Sequence, residues 1–305
     1  MKTIYDYLYK GAILFVLTNL SCKAQKSQIE NIIANGAELT LVADDYDFTE
    51  GPAVDESGNV YFTDQPNDRI LKWNANDNTI TDYMKPAGRS NGLYFDPDGN
   101  LLAAADEKNQ LWRIAPNKEV TVLITDFEDK KLNGPNDLWV NADGGIYFTD
   151  PFYKRPWWQH EEPEQSARRV YYLAPNTQTP RIAIDDNFEQ PNGIIGSPDG
   201  KLLYVSDIGA KKTYVYTIDK EANLTNKKLF TDMGSDGMTL DHLGNVYLTG
   251  DGVTVFNSKG EQLAHIEVPE NWTANVTFGG PERKTLFITA MDSVYTLEMN
   301  VQGAK

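Results

Sequence analysis

The chain has 305 residues, 40% of them apolar and 11% aromatic, too much apolar content for a disordered chain and enough for one or two packed domains. Its 28 basic and 44 acidic residues leave a net charge of −16, which opposes nucleic-acid binding and favours a cation or a neutral small molecule as partner. One cysteine excludes a disulfide framework and a thiolate zinc site, and three histidines, at 160, 242 and 265, argue against a His-rich metal centre.

Residues 1–24 read as an export signal. Lys2 and Lys10 give a basic start, and Gly11 to Leu17 is an apolar run far short of the roughly 20 residues a membrane span needs. Ser21-Cys22-Lys23-Ala24 then permits two exits, lipid attachment at Cys22 or cleavage after Ala24. The expected location is periplasmic or secreted, with a membrane involved only through a lipid on Cys22.

A repeat fills the rest of the chain. Each copy begins with a carboxylate or amide residue, usually next to glycine, with a polar residue five places on, glycine at eight, and then a β-rich run. Glu50 is followed by Asp55, Gly58 and Val60-Tyr61-Phe62; Asn91 by Asp96, Gly99 and Leu101-Leu102; Asn136 by Asn141, Gly144 and Ile146-Tyr147-Phe148. Asn192 is followed by Ser197, Gly200 and Leu202 to Val205, and Asp236 by Asp241, Gly244 and Val246-Tyr247-Leu248. Asn275 opens a degenerate sixth copy, with Gly280 at five and Leu286-Phe287-Ile288 beyond. The anchors lie 41, 45, 56, 44 and 39 residues apart. Asp96-Pro97-Asp98-Gly99 and Ser197-Pro198-Asp199-Gly200 supply hairpin turns, while 69–73 and 213–216 predict third strands and 120–124 and 181–184 fourth strands. Four-stranded units at this period predict an all-β, six-bladed β-propeller in a single domain over about residues 35–300.

The sixth copy has room for only three strands, near 275–278, 285–289 and 294–297. Residues 38–42 precede Glu50 as 120–124 precede Asn136, so the N-terminal strand is expected to complete the last blade and pair its open edge.

In a propeller the first strand of each blade lines the central channel, so Glu50, Asn91, Asn136, Asn192, Asp236 and Asn275 are expected to converge on one axis. Two carboxylates among amides, with no basic residue at any anchor, would repel each other unless a cation joined them. A hard divalent ion with oxygen ligands fits, Ca²⁺ better than Mg²⁺ because the ring is wide.

Glu50-Gly51-Pro52, Leu132 to Leu138 (LNGPNDL), Tyr147 to Pro151 (YFTDP), Gln190-Pro191-Asn192-Gly193 and Ser235-Asp236-Gly237-Met238 together give the chain a close resemblance to the SMP-30/gluconolactonase/LRE family. The resemblance implies a six-bladed propeller that hydrolyses lactones with a divalent metal, expected here as Ca²⁺, with Zn²⁺, Mn²⁺ and Mg²⁺ as alternatives. It implies metal ligands at Glu50, Asn136, Asn192 and Asp236, and an acid/base role for Asp236. Animal members carry an Arg two places before the residue matching Asn136, where it helps bind sugar hydroxyls; Gly134 stands there in this chain, as in the bacterial gluconolactonase version.

The long third repeat holds an insertion, Pro151 to His160 followed by Glu161-Glu162-Pro163-Glu164, between its second and third strands. Loops of this kind often cap a binding mouth. Phe152, Tyr153, Trp157, Trp158 and His160 could stack on a ring, and Lys154 or Arg155 could hold a carboxylate. The expected substrate contacts are Asn91, Asn133, Trp157 and His160. Asp137 and Asp150 read as supporting or turn residues. No Gly-x-Ser-x-Gly elbow occurs, so a serine-esterase mechanism has no support. The leading expectation is a metal-dependent lactonase acting on a small-molecule lactone. The alternatives are a phosphotriesterase-like hydrolase and a non-catalytic ligand-binding propeller with a structural metal.

Overall fold

The computed structural model describes residues 31–304; the export-signal segment 1–24, with Cys22, lies outside the described residues. Six four-stranded antiparallel sheets follow one another along the chain. Blade 1 runs outward from the channel as Thr49–Val54, Val60–Asp64, Arg69–Trp73 and Ile80–Met84. Blade 2 is Ser90–Phe95, Leu101–Ala105, Gln110–Ile114 and Val120–Ile124. Blade 3 is Leu138–Val140, Ile146–Asp150, Arg169–Leu173 and Arg181–Ile184. Blade 4 is Pro191–Gly196, Leu202–Asp207, Lys212–Ile218 and Leu224–Thr231. Blade 5 is Met238–Leu240, Val246–Gly250, Gly252–Phe256 and Gln262–Ile266. Blade 6 takes Thr273–Gly279, Thr285–Ala290 and Ser293–Glu298 from the end of the chain and Thr40–Ala43 from its beginning.

The six blades and the N-terminal closure are those the repeat predicts. Thr40 pairs with Thr296 and Leu41 with Tyr295, so the outermost strand of blade 6 is N-terminal. In blades 1 to 5 the polar residue five places after the anchor serves the hairpin at the far end of the innermost strand. The Asp55 carboxylate accepts from Asn59 N–H at 2.9 Å, and the Asp96, Asn141 and Asp241 side chains repeat the bond at Asn100, Gly145 and Asn245. Gly58, at φ +86°, takes the left-handed place in that turn, which a side chain would strain.

Second strands are buried on both faces, as Val60–Asp64, Leu101–Ala105 and Ile146–Asp150 illustrate, because each blade packs between two neighbours. Phe62 and Trp73 of blade 1 meet Phe287 of blade 6, and Trp139 and Tyr147 of blade 3 pack with Ile194 of blade 4. Outer strands such as Leu224–Thr231 are largely exposed. Chain beyond both ends of the closing blade also packs down. Ile32 is buried against blades 5 and 6, and Ala304 N–H donates to Leu240 O at 2.9 Å.

Deleting residues through Ala43 removes the fourth strand of blade 6 and the buried Ile32, whose burial alone is worth about 1.5–3 kcal/mol. Thermal melting should fall for this truncation and stay unchanged for one ending at Gln28. Equal melting temperatures for the two would contradict the closure.

Candidate active site at the mouth of the central channel

The anchors face the axis because the backbone is made to turn there. In blades 1, 2, 4 and 6 the innermost strand is bulged beside the anchor, between Glu50 and Ala53, Ser90 and Leu93, Pro191 and Ile194, and Thr273 and Asn275. A bulge re-aims side chains at the price of ladder hydrogen bonds. In blades 3 and 5 the anchors Asn136 and Asp236 precede the strand by two residues. The glycine after an anchor lets the next blade close in: a Cβ on Gly237 would fall on the Asn275 side chain.

In blades 1, 3 and 4 the approach to the anchor is held by the last residue of the second strand. Asp64 accepts from the N–H groups of Asp47 and Phe48, Asp150 from Asn133 and Gly134 (3.0 and 2.9 Å), and Asp207 from Glu189 and Gln190 (2.9 and 2.8 Å). Asp150 is therefore a loop-holding residue. In blade 2 that position is Ala105, and the carboxylate one residue beyond the strand, Asp106, makes other bonds, described below.

Glu50 and Asp236 are both buried. Asp236 Oδ1 accepts from Asn192 Nδ2 at 2.7 Å and Oδ2 from Trp272 Nε1 at 2.6 Å. Glu50 Oε2 accepts from Gly51 N–H at 2.8 Å and from Asn275 Nδ2 at 3.4 Å. Burial, then the charge of Asp236, pushes the Glu50 carboxyl well above the usual range. Burial pushes Asp236 up to about 6 against the hydrogen bonds from Trp272 and Asn192 and the charge of Arg155. Asp137, one residue past its anchor, is raised by burial to about 7. Asn192 Oδ1 is buried with no hydrogen-bond partner among the described residues. Asn91, near the start of its strand, and Asn136, two residues before its own, are also buried. The structure thus joins Glu50, Asn192, Asp236 and Asn275 through hydrogen bonds and electrostatics.

The insertion between Asp150 and Arg169 folds over this end of the channel. Tyr153 Oη accepts from Asn192 Nδ2 at 2.9 Å. Arg155 lies over the Tyr153 ring at 5.4 Å and donates through Nε to Asp106 at 2.7 Å. Asp106 is buried, which raises it to about 6 despite Arg155, and it also accepts from Gln65 at 3.1 Å. Trp158 Nε1 donates to the Asp106 carbonyl at 2.7 Å. At the loop's far end Gln165 Nε2 donates to the Phe127 and Lys130 carbonyls at 3.0 and 2.9 Å.

The expected substrate contacts are differently placed. Trp157 carries guanidinium groups over its ring, Arg89 at 4.6 Å and Arg155 at 5.7 Å. His160 stacks on Trp158 at 4.8 Å. Asn133 spends Nδ2 on the Asp150 and Ala167 carbonyls, 3.1 and 3.0 Å away, and only its Oδ1 is without a partner. At Gly134 a Cβ would meet the Asp106 carboxylate and the Trp158 ring, so that space is already filled. Trp272, 36 residues from Asp236, was invisible in the sequence because no motif surrounds it.

A cavity of about 890 Å³ opens at the opposite end of the channel, lined by Tyr61, Tyr94, Trp139 and Arg283, and it reaches the anchor end only at Asp137 and Asn275. The buried acids and the loop lie elsewhere, and chemistry is assigned to them on the strength of their converging polar groups.

A family model described as SMP-30/Gluconolactonase/LRE-like region matches residues 48–292, and the chain belongs to that family. A gluconolactonase of Zymomonas mobilis subsp. mobilis is 28% identical over 307 aligned residues, covering 90% of this chain and 85% of that protein. A solved structure ascribed to the gluconolactonases is 32% identical, with a TM-score of 0.83 over 90% of this chain and 96% of the other. A gluconolactonase structure from Xanthomonas campestris is 28% identical, with a TM-score of 0.81 over 88% and 91%.

The raised carboxyls set a direction for pH dependence. Asp137 and Asp150 stand at about 7 and Asp236 at about 6 in the folded protein. Unfolded, each returns to about 4, so the folded state holds protons that the unfolded state has released, and relative stability rises as pH falls from about 7 toward 4. In excess chelator the protein should melt at a higher temperature near pH 5.5 than near pH 8. The reverse order would mean that these acids do not carry raised values.

Proposed function

We propose that this protein is a gluconolactonase-like lactone hydrolase that opens its substrate at the mouth of the channel, between the anchor residues and the inserted loop. The observation that carries the reading is the pair of buried carboxylates, Glu50 and Asp236, on one axis with amide side chains and no basic anchor. Full-length relatives named gluconolactonases support the substrate class.

The residues present fit a divalent cation. Among the described residues no three His, Cys, Asp or Glu side chains cluster as a cage of their own. The donor set here is instead two carboxylates completed by amide oxygens, and the unpartnered, buried Asn192 Oδ1 is the atom such an ion would satisfy. Glu50, Asn136, Asn192 and Asp236 would hold it, Ca²⁺ being preferred for an all-oxygen site. When bound, the cation supplies Lewis-acid polarisation of the lactone carbonyl.

The protein's own groups do the rest. Asp236, oriented at both oxygens by Asn192 and Trp272, takes a proton from the attacking water and returns it to the ring oxygen as the acyl–oxygen bond breaks. The loop, pinned through Asp106 and Gln165, excludes water and fixes the lactone over the anchors. Residues 1–24, read as an export signal, support a periplasmic or secreted location, with a lipid on Cys22 as the one route to a membrane; cell fractionation tests that reading.

Hydrolysis of aldonolactones, followed by acid release, should vanish in excess EDTA and return with Ca²⁺, and Ca²⁺ should raise the melting temperature. Full turnover with metal shown absent by elemental analysis would exclude the cation, and turnover of organophosphates alone would replace the lactone by a phosphotriester.

Asp236→Asn and Glu50→Gln separate ligand from base. Both remove one charge, yet only the first removes the proton carrier. Asp236→Asn should stay roughly 10²–10⁴-fold down at saturating Ca²⁺, while Glu50→Gln should recover part of its activity. Equal recovery of the two variants would leave Asp236 as a ligand alone.

A further inference from the structure

We infer that Tyr153, carried into the channel mouth by the inserted loop, is a catalytic residue whose phenolic O–H donates a hydrogen bond to the lactone oxygen that gains negative charge as the ring opens. This rests on the lactone-hydrolase reading above and assigns a role to a side chain outside the anchor ring.

The direction of the Asn192 bond is the first support. A primary amide nitrogen only donates, so at 2.9 Å the Tyr153 oxygen is the acceptor, and the phenolic proton is left over. The same amide nitrogen donates to Asp236 Oδ1 at 2.7 Å. One amide therefore ties the phenol and the acid together, and Asn192 Oδ1 is left without a partner among the described residues. Tyr153 donates to no described residue; its proton is available to whatever enters the mouth.

Rigidity is the second support. A donor helps a transition state most when it is held in place before the reaction. The Tyr153 ring lies beneath the Arg155 guanidinium at 5.4 Å, and Arg155 is locked by Asp106 at 2.7 Å. Asp106 is held in turn by Gln65, and its carbonyl by Trp158 Nε1. On the other side, Gln190 Nε2 donates to the carbonyl of the adjoining Phe152 at 3.1 Å. Blades 2 and 4 thus grip the loop on either side of the phenol. Trp157 and His160, by contrast, are engaged with Arg89, Arg155 and Trp158.

The chemistry balances without moving the Tyr153 proton. The water oxygen bonds to the acyl carbon and the acyl–ring-oxygen bond breaks. One water proton ends on the freed hydroxyl and the other leaves with the acid product. Tyr153 lends its O–H as a hydrogen bond while charge builds and keeps it.

Tyr153→Phe keeps the ring under Arg155 and deletes only the hydroxyl. On δ-gluconolactone at saturating Ca²⁺, kcat should fall by roughly 10²–10³-fold, the worth of one preorganised oxyanion donor. Calcium affinity by calorimetry and the melting temperature should match wild type. A kcat within threefold of wild type would overturn the assignment. So would a loss that tracks weaker Ca²⁺ binding, because Tyr153 would then act only by positioning Asn192. Should wild type open no lactone, the functional reading fails by itself. Titration with gluconate, the ring-opened product, then still reads the contact: weaker binding to Tyr153→Phe supports it and equal binding removes it.

Discussion

Two like charges buried at one end of the central channel are the constraint around which this molecule is arranged. Glu50 and Asp236 lie in different blades and are taken out of water together, which raises both carboxyls. The fold offsets part of the cost with neutral donors: the Gly51 N–H, the amides of Asn192 and Asn275, and the indole of Trp272. No lysine or arginine stands at an anchor to neutralise the pair. A site left in deficit in this way attracts protons or a cation, which is the physical basis of the proposed metal site.

The blades contribute two kinds of repeated chemistry, one at each end of the innermost strands. At the far end, side chains such as Asp55 and Asp241 close hairpins and serve the fold alone. At the near end, Asp64, Asp150 and Asp207 hold the chain as it enters its innermost strand, which sets where the anchor points. Blade 2 has Ala105 at that place. The next residue, Asp106, turns to Arg155, and the loop borne by blade 3 is thereby fastened across a neighbouring blade.

That insertion replaces side chains the ring could have supplied. At Gly134 the space a side chain would need is filled by Asp106 and Trp158, so a long polar residue there is excluded by packing. Arg155 and Tyr153 reach the channel mouth from above instead, and the proximity of Arg155 is felt as a downward pull on Asp236. Polar groups at this mouth thus come from the loop as well as from the blades.

The sequence by itself determined the ring. A repeat with glycine eight places after a polar anchor encodes a hairpin, six such hairpins encode six blades, and three strands at the end of the chain require a fourth from its start. Local turn chemistry and strand periodicity are short-range and survive in a one-dimensional reading. The anchors were legible for the same reason, since equivalent repeat positions must face one axis. What tertiary structure alone decided lies between blades. The Asn192 bond to Tyr153, the grip of Trp272 on Asp236 and the Asp106–Arg155 clamp join residues 36 to 49 positions apart, with no shared motif. Within the loop, several aromatic and basic residues in a row could each have faced the channel. Only packing against blades 2 and 4 selected Tyr153 and Arg155 and turned Trp157 and His160 to other partners, because a loop without strand periodicity carries no rule for which side chain points inward.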